Sequence, residues 1–188
     1  SRRNDAKGKV FLLRDCEPNV PDNMSFLFEK TNTILIKNSP ILDITSAINE
    51  LKNVQQIHVV AVDNEVKELL FLLKKSYKGD IAIKTINFAK NRVHKFSFIY
   101  NSDFQVNYGI PEKYLYEPNA AILKSGGFFH ITSEYPVKKL HQHSHLYTSE
   151  MPIDFPGRSF KIKMILPYDK KKIKRNLEDQ KANITTRN

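Results

Sequence analysis

Three side chains that could do chemistry stand close together in Lys37-Asn38-Ser39-Pro40-Ile41-Leu42-Asp43: an amine at 37, a hydroxyl at 39 and a carboxylate at 43. A second polar cluster, Asp63-Asn64-Glu65, follows about twenty residues on. Each cluster ends a short apolar, β-branched run, Thr33-Ile34-Leu35-Ile36 and Ile57-His58-Val59-Val60-Ala61-Val62. Such runs read as strands buried on both faces of a parallel sheet. Ligands of open α/β sheets bind beyond the carboxyl ends of the strands, so the two clusters are expected to share one edge. On this reading Lys37, Ser39 and Asp43 line a substrate pocket. The same residues also have plain structural uses: Ser39-Pro40 shapes a turn, Asp43 caps a helix, and Asn64 caps the next one. Glu65 either faces the cleft or supports that helix N-terminus. The chain has no glycine-rich phosphate loop.

Other groups carry weaker signals. His141, His143 and His145 alternate, so on a strand they would share one face, and three histidines could ligate zinc. No carboxylate lies near them, the spacing is unspecific, and no metal is assigned. Tyr114, Tyr116 and Phe128-Phe129 suit base stacking or core packing. Cys16, the single cysteine, has no disulfide partner within the chain and reads as a packed thiol.

The elements that must position these groups follow from pattern. Asn23 is placed to cap a helix over Met24–Lys30, before the strand Thr33–Lys37. Ile44, Ala47, Ile48 and Leu51 have helical spacing, as do Val66, Leu69, Leu70, Leu72 and Leu73. Ile81–Phe88 reads as a further strand after Gly79-Asp80. Strand, helix, strand, helix, strand makes the first ninety residues a βαβαβ half of a doubly wound sheet. Beyond Arg92 the character changes. Lys95–Ile99 alternates like an antiparallel strand, and a helix opens at Asn119 and ends at Gly126-Gly127. Phe128–Thr132 and Leu146-Tyr147 are strand candidates, which together suit a small α+β module. A third segment opens at Asp154, with a strand over Ser159–Leu166, a basic helix over Lys170–Leu177, and a last strand beginning within 182–188.

The 188 residues carry a net charge of +10 at 40% apolar content. Residues 1–92, 93–153 and 154–188 contribute +4, 0 and +6. A basic segment suggests a polyanionic partner such as nucleic acid. Arg158, Lys161, Lys163, Lys170, Lys171, Lys172, Lys174 and Arg175 are the candidate phosphate contacts. No apolar run is long enough to span a bilayer and no signal-peptide core is visible, so a cytoplasmic location is expected and no membrane partner. Pattern leaves the oligomeric state open.

Several motifs occur in a recognisable order: Ser1-Arg2-Arg3-Asn4, Asp15-Cys16-Glu17-Pro18-Asn19, Lys37–Asp43, Asn64-Glu65-Val66-Lys67-Glu68-Leu69-Leu70, Tyr114–Lys124 and His145-Leu146-Tyr147. Together they resemble a family of bacterial class I S-adenosylmethionine (SAM) dependent methyltransferases that carry a ferredoxin-like module and a C-terminal THUMP-like domain. The resemblance implies a fragment. Its SAM loop and acidic ribose-binding residue would precede Ser1, and of the family's Asp-Pro-Ala/Ser-Arg-Arg motif only Ser1-Arg2-Arg3 would remain. Arg2 and Arg3 are then a remnant of the catalytic motif, and no cofactor-binding residue lies in the chain. The implied architecture is α/β: the C-terminal half of a Rossmann-like methyltransferase sheet over 1–92, a ferredoxin-like α+β module over 93–153, and a truncated THUMP-like segment over 154–188. The implied activity is methyl transfer from SAM, with RNA as the expected partner and the fragment itself inactive. The alternative is a non-catalytic RNA-binding or protein-interaction module.

Overall fold

A computed structural model describes residues 2–3 and 12–176. In chain order the elements are β1 (Arg2–Arg3), β2 (Cys16–Glu17), α1 (Val20–Lys30), β3 (Thr33–Asn38), α2 (Ile44–Glu50), β4 (Val54–Val62), β5 (Glu65–Lys74), β6 (Ala82–Ala89), β7 (Arg92–Ile99), β8 (Tyr114–Pro118), α3 (Ala120–Ser125), α4 (Ile131–Glu134), β9 (Lys138–Lys139), β10 (Tyr147–Ser149), β11 (Gly157–Lys161) and α5 (Lys170–Asn176). They form two units, one of residues 1–103 with 119–127, the other of 104–118 with 128–188.

The first unit is built on a five-stranded sheet in the order β3-β5-β4-β6-β7. β4 and β6 are parallel and the other neighbours antiparallel, so β3, β4 and β6 run one way while β5 and β7 run back. This mixed sheet replaces the expected parallel βαβαβ unit. The helix expected over Val66–Leu73 is the strand β5. Its cause is the turn before it: Asp63 and Asn64 have φ of 47° and 64°. A two-residue hairpin turn needs positive φ at both positions, which Asp and Asn tolerate better than most residues. Asn64 therefore closes a hairpin instead of capping a helix. The period of two in β5 is hidden because both faces are apolar: Leu69, Phe71 and Leu73 are fully buried, while Leu70 and Leu72 half-face solvent on the other side.

Among the described residues only one face of this sheet is covered. Ile57, Val59, Ala61, Leu69, Phe71, Leu73 and Ile83 form its core with Ile44 and Ala47 of α2 and Ala121 of α3. The opposite face is open, so β3 and β4 are not buried on both sides: Leu35 is 61% exposed and Val62 40%. Asn19, not Asn23, caps α1, its side chain accepting from Asp22 N at 3.1 Å with Pro21 in the first turn. Asn23 lies inside the helix and bonds back to Asn19 O. α3 begins and ends where expected: Asn119 caps it, its Oδ1 accepting from Ala121 N and Ile122 N at 3.0 and 3.2 Å, and it stops at left-handed Gly126 with φ 77°. The segment ahead of α1 is tied to α2 by Glu50. That carboxylate accepts from Leu13 N at 3.1 Å and Arg14 N at 2.9 Å, and pairs with Arg14 Nε at 3.3 Å.

The second unit has a four-stranded antiparallel sheet, β11-β8-β10-β9. Its core is aromatic. The Phe155 ring lies 5.0 Å from that of Tyr116 and 6.0 Å from that of Tyr147, and all three are buried. Tyr116 Oη shares a hydrogen bond of 2.9 Å with Ser149 Oγ and accepts from Ile153 N at 3.1 Å. Phe128–Thr132 is not a strand: a 3₁₀ turn over Gly127–Phe129 leads into α4, because the chain turns straight after the left-handed Gly126. β11 ends at Lys161 instead of Leu166, since its partner strand β8 begins at Tyr114, opposite Lys161. Gly157 starts β11 where a Cβ would lie 2.0 Å from Glu117 O, so the pairing needs glycine there. The strand expected within 182–188 lies outside the described residues.

Glu50 has a side chain only 4% exposed and holds two backbone N–H groups. Glu50→Ala leaves those donors unpaired and should cost about 2–3 kcal/mol in chemical denaturation. Glu50→Gln, which retains one acceptor oxygen, should cost less.

Candidate functional site

Because β3, β4 and β6 run in parallel, their carboxyl ends lie on one edge of the first unit. The two polar clusters share that edge but are staggered along it. Asn38 pairs with Leu69 of β5 while Val62 pairs with Glu65, so β4 runs four residues further. At the rise of a strand this is about 13 Å.

The sequence-derived pocket residues have definite partners. Lys37 Nζ donates to Glu68 Oε1 at 3.0 Å across β3 and β5. Ser39 Oγ accepts from Ile41 N at 3.5 Å in the turn. Asp43 Oδ1 accepts from Ser46 N at 2.7 Å and caps α2. Glu65 pairs with Lys67 at 2.6 Å. Arg2 and Arg3 form β1, opposite Glu17 and Cys16 of β2. The structure thus places Lys37, Ser39, Asp43 and Glu65 along one edge without bringing them to one point, and puts Arg2 and Arg3 in a separate two-stranded sheet.

Asparagines organise the edge more tightly. Asn64 Oδ1 accepts from Ala120 N at 2.8 Å, joining the β4–β5 turn to the start of α3. Asn64 N donates to Asn87 Oδ1 at 3.0 Å, and Asn87 is buried near the end of β6. Asn38, also buried, has no partner for its Oδ1 among the described residues. Sequence reasoning passed over Asn38 and Asn87. Their only signal was a polar residue on the core face of an otherwise apolar strand, visible once the register is known.

In the second unit the histidines do not share a strand face. Residues 141–145 form a turn and loop gathered around Lys139, which is fully buried. Lys139 Nζ donates to His141 O at 2.6 Å, to Gln142 O at 2.9 Å and to Ser144 O, and sits 5.4 Å from the Phe129 ring centre. Burial pulls its pKa below the ordinary lysine value, while three carbonyl acceptors favour the charged form. The His145 ring packs at a tilt against Phe128, 4.1 Å between centres, with its Nδ1 buried and without a partner among the described residues. Burial, then the Lys139 charge, lowers its pKa. Among the described residues no cluster of three or more His, Cys, Asp or Glu is placed to hold a metal ion.

The candidate RNA contacts spread over β11 and beyond. Arg158 pairs with Glu117 of β8, directly opposite, so its charge is partly used within the sheet. Lys161 and Lys163 are exposed. Asp169 Oδ1 caps α5 by accepting from Lys171 N and Lys172 N at 2.8 and 3.2 Å. That helix carries Lys170, Lys171, Lys172, Lys174 and Arg175 and buries none of its residues.

Comparison with known proteins assigns parts of this chain. Residues 114–156 match the model of a ferredoxin-like domain and residues 157–188 that of a THUMP domain-like family. The fold is similar to the crystal structure of a proposed methyltransferase from Porphyromonas gingivalis W83, with TM-score 0.81 and 33% sequence identity. The match covers 94% of this chain and 45% of that one, so the chain spans a little under half the length of the protein it resembles. No curated protein matches. The chain is thus a mixed α/β protein containing a ferredoxin-like and a THUMP-like region and resembling a proposed methyltransferase.

Two measurements test the second unit. Lys139→Met would take its donor from the Gln142 and Ser144 carbonyls and leave His141 O with Ser144 N alone. It should lower stability by about 3 kcal/mol and speed amide exchange across residues 141–145. Because the folded pKa of His145 is depressed, the unfolded chain takes up the proton first. Its contribution is intact above the unfolded value of about 6.5 and is lost as pH falls through the lower folded value. His145→Phe should flatten that acid limb in pH-dependent denaturation, leaving the shares of His58, His94 and His130, which burial lowers too.

Proposed function

We propose that this chain is part of a SAM-dependent class I methyltransferase whose acceptor lies in RNA. The observation that carries the reading is the match to the Porphyromonas gingivalis protein over 94% of the chain. The alignment of the carboxyl ends of β3, β4 and β6 supports it, since α/β enzymes place their ligands there. On this reading the five-stranded sheet, β7 included, supplies part of a Rossmann-like sheet, with the ferredoxin-like module over 114–156 and the THUMP-like region over 157–188 in place of the expected bounds at 93 and 154. Lys37, Ser39 and Asp43 lie on one wall of the cleft, and Arg2 and Arg3 belong to the motif that faces the acceptor. The protein works in the cytoplasm.

The residues present fit only part of a SAM site. Asn38 Oδ1 offers a buried unpaired acceptor at the end of β3. The loops after the parallel strands, 39–43, 63–64 and 90–91, contain no glycine to let backbone approach a cofactor closely. No chemical step is therefore assigned to residues of this chain. A second reading, a non-catalytic RNA-binding module, is favoured by the basic α5, which buries none of its residues.

The THUMP-like match and the charge of 154–188 support RNA as the partner. The 188-residue chain should bind SAM weakly, and a tight calorimetric isotherm would overturn the half-site reading. A longer protein extended to the length of the Porphyromonas relative should transfer labelled methyl groups from SAM to total RNA. RNA binding without transfer would favour the module. Replacing Lys170, Lys171 and Lys172 by Gln should weaken RNA binding and reduce the slope of log affinity against log salt by about 0.7 per lost contact.

A further inference from the structure

The open face of the five-stranded sheet has a chemistry that the cleft edge does not use. Its registers align Lys37, Leu70, His58, Lys84 and Ser97 in one row across β3, β5, β4, β6 and β7. The next row holds Glu68, Val60, Ile86 and Lys95. Over β4, β6 and β7 these rows form a shallow cleft of about 360 Å³ lined by His58, Lys84, Ile86, Lys95 and Ser97, with the backbones of Thr85 and Phe96 between them.

The charge there is one-sided. Residues 82–99, the β6–β7 hairpin, carry Lys84, Lys90, Arg92 and Lys95 and no Asp or Glu. Lysines on open sheets are commonly set against carboxylates on the adjacent strand, and like charges in neighbouring positions destabilise the pairing. Lys84 instead faces His58 and Ser97, and Lys95 lies on its diagonal, about 7–8 Å away. The polar groups are also held in place. Gln56 Oε1 lies 3.1 Å from both Lys84 Nζ and His58 Nε2, so one amide oxygen orients the ammonium and the imidazole together.

We propose that this cleft is a binding site for a phosphate group, seated between Lys84 and Lys95 and accepting a further hydrogen bond from Ser97. The inference does not rest on methyl transfer and lies outside the THUMP-like region. Ile86 forms the floor, and Phe88 and Val93, 44% and 48% exposed, flank it on the next row of the face. A phosphate attached to a flat apolar body, as in a nucleotide unit, matches that layout. His58 reports on it. Its pKa is lowered by burial and by Lys84, and a bound dianion should raise it. The charged groups around His58 are Lys84 on β6, Glu68 on β5, Lys37 beyond it on β3, and Lys95 on β7.

The test is an NMR titration of the His58 ring in the 188-residue chain with inorganic phosphate and, separately, with a short oligouridylate. The expected result is a saturable shift of the His58 resonances and a raised His58 titration midpoint with at least one probe. Lys84→Gln with Lys95→Gln should weaken it at least ten-fold. Lys84→Arg with Lys95→Arg should retain it. Oligouridylate binding much more tightly than phosphate identifies a nucleic-acid backbone as the source, and equal affinities identify a small phosphate compound. An unmoved His58 at saturating concentrations of both probes, or equal binding by a folded Gln variant, overturns the proposal. The wild-type titration decides the matter even where that variant fails to fold.

Discussion

The first unit depends on two backbone conformations. Asp63 and Asn64 both sit at positive φ, and that pair turns the chain back on itself within two residues. Had they been helical, the next ten residues would have crossed over the sheet as a helix. Instead β5 returns between β3 and β4 and pairs with both. The consequence reaches the edge where a site would lie. With β5 antiparallel in the middle, β3 and β4 become parallel without being neighbours, and β4 then accepts β6 in parallel on its other side. Three strands share a direction because one turn reversed a fourth.

The same turn is tied down on both sides. Asn64 spends its backbone N–H on Asn87 and its side-chain oxygen on Ala120, and Asp63 N bonds Phe88 O at 2.8 Å. β6 and the start of α3 are thereby fixed to the end of β4, and the segment 119–127, which comes after β8 in sequence, belongs to the first unit. An asparagine with a left-handed backbone and both polar functions used is a more constrained position than a helix cap.

Much of this was legible in the residues, and the failures share one cause. The apolar runs at Thr33 and Ile57, the cap and left-handed stop of α3 at Asn119 and Gly126, and the alternating strand near Lys95 were each carried by local pattern. The strand Glu65–Lys74 was not, because a central strand with apolar residues on both faces fits a helical stripe equally well. The shift of the α1 cap from Asn23 to Asn19 has a similar origin: the window Asn19-Val20-Pro21-Asp22 is polar and proline-bearing, yet proline suits a first helical turn. Of the edge, the positions of Lys37, Ser39 and Asp43 were legible, whereas the buried amides of Asn38 and Asn87 required the register. Lys139 gave no sequence signal at all, since a lysine beside a lysine reads as surface until the carbonyls of His141, Gln142 and Ser144 are seen to close around it.

The distribution of polar groups in the first unit has a physical logic of its own. On the covered face the two buried amides lie near strand ends, where Asn87 accepts from the Asn64 turn and Asn38 lies against the start of a loop. On the open face a cation is inexpensive because water remains beside it, but a row of cations without carboxylates gains nothing for folding. A hairpin meant only to extend the sheet would be better served by alternating signs across β6 and β7. The absence of any acidic residue between Ala82 and Ile99 therefore sits more easily with recognition of an anion than with stability, and the amide of Gln56, bridging the imidazole of His58 and the ammonium of Lys84, gives that recognition a fixed geometry.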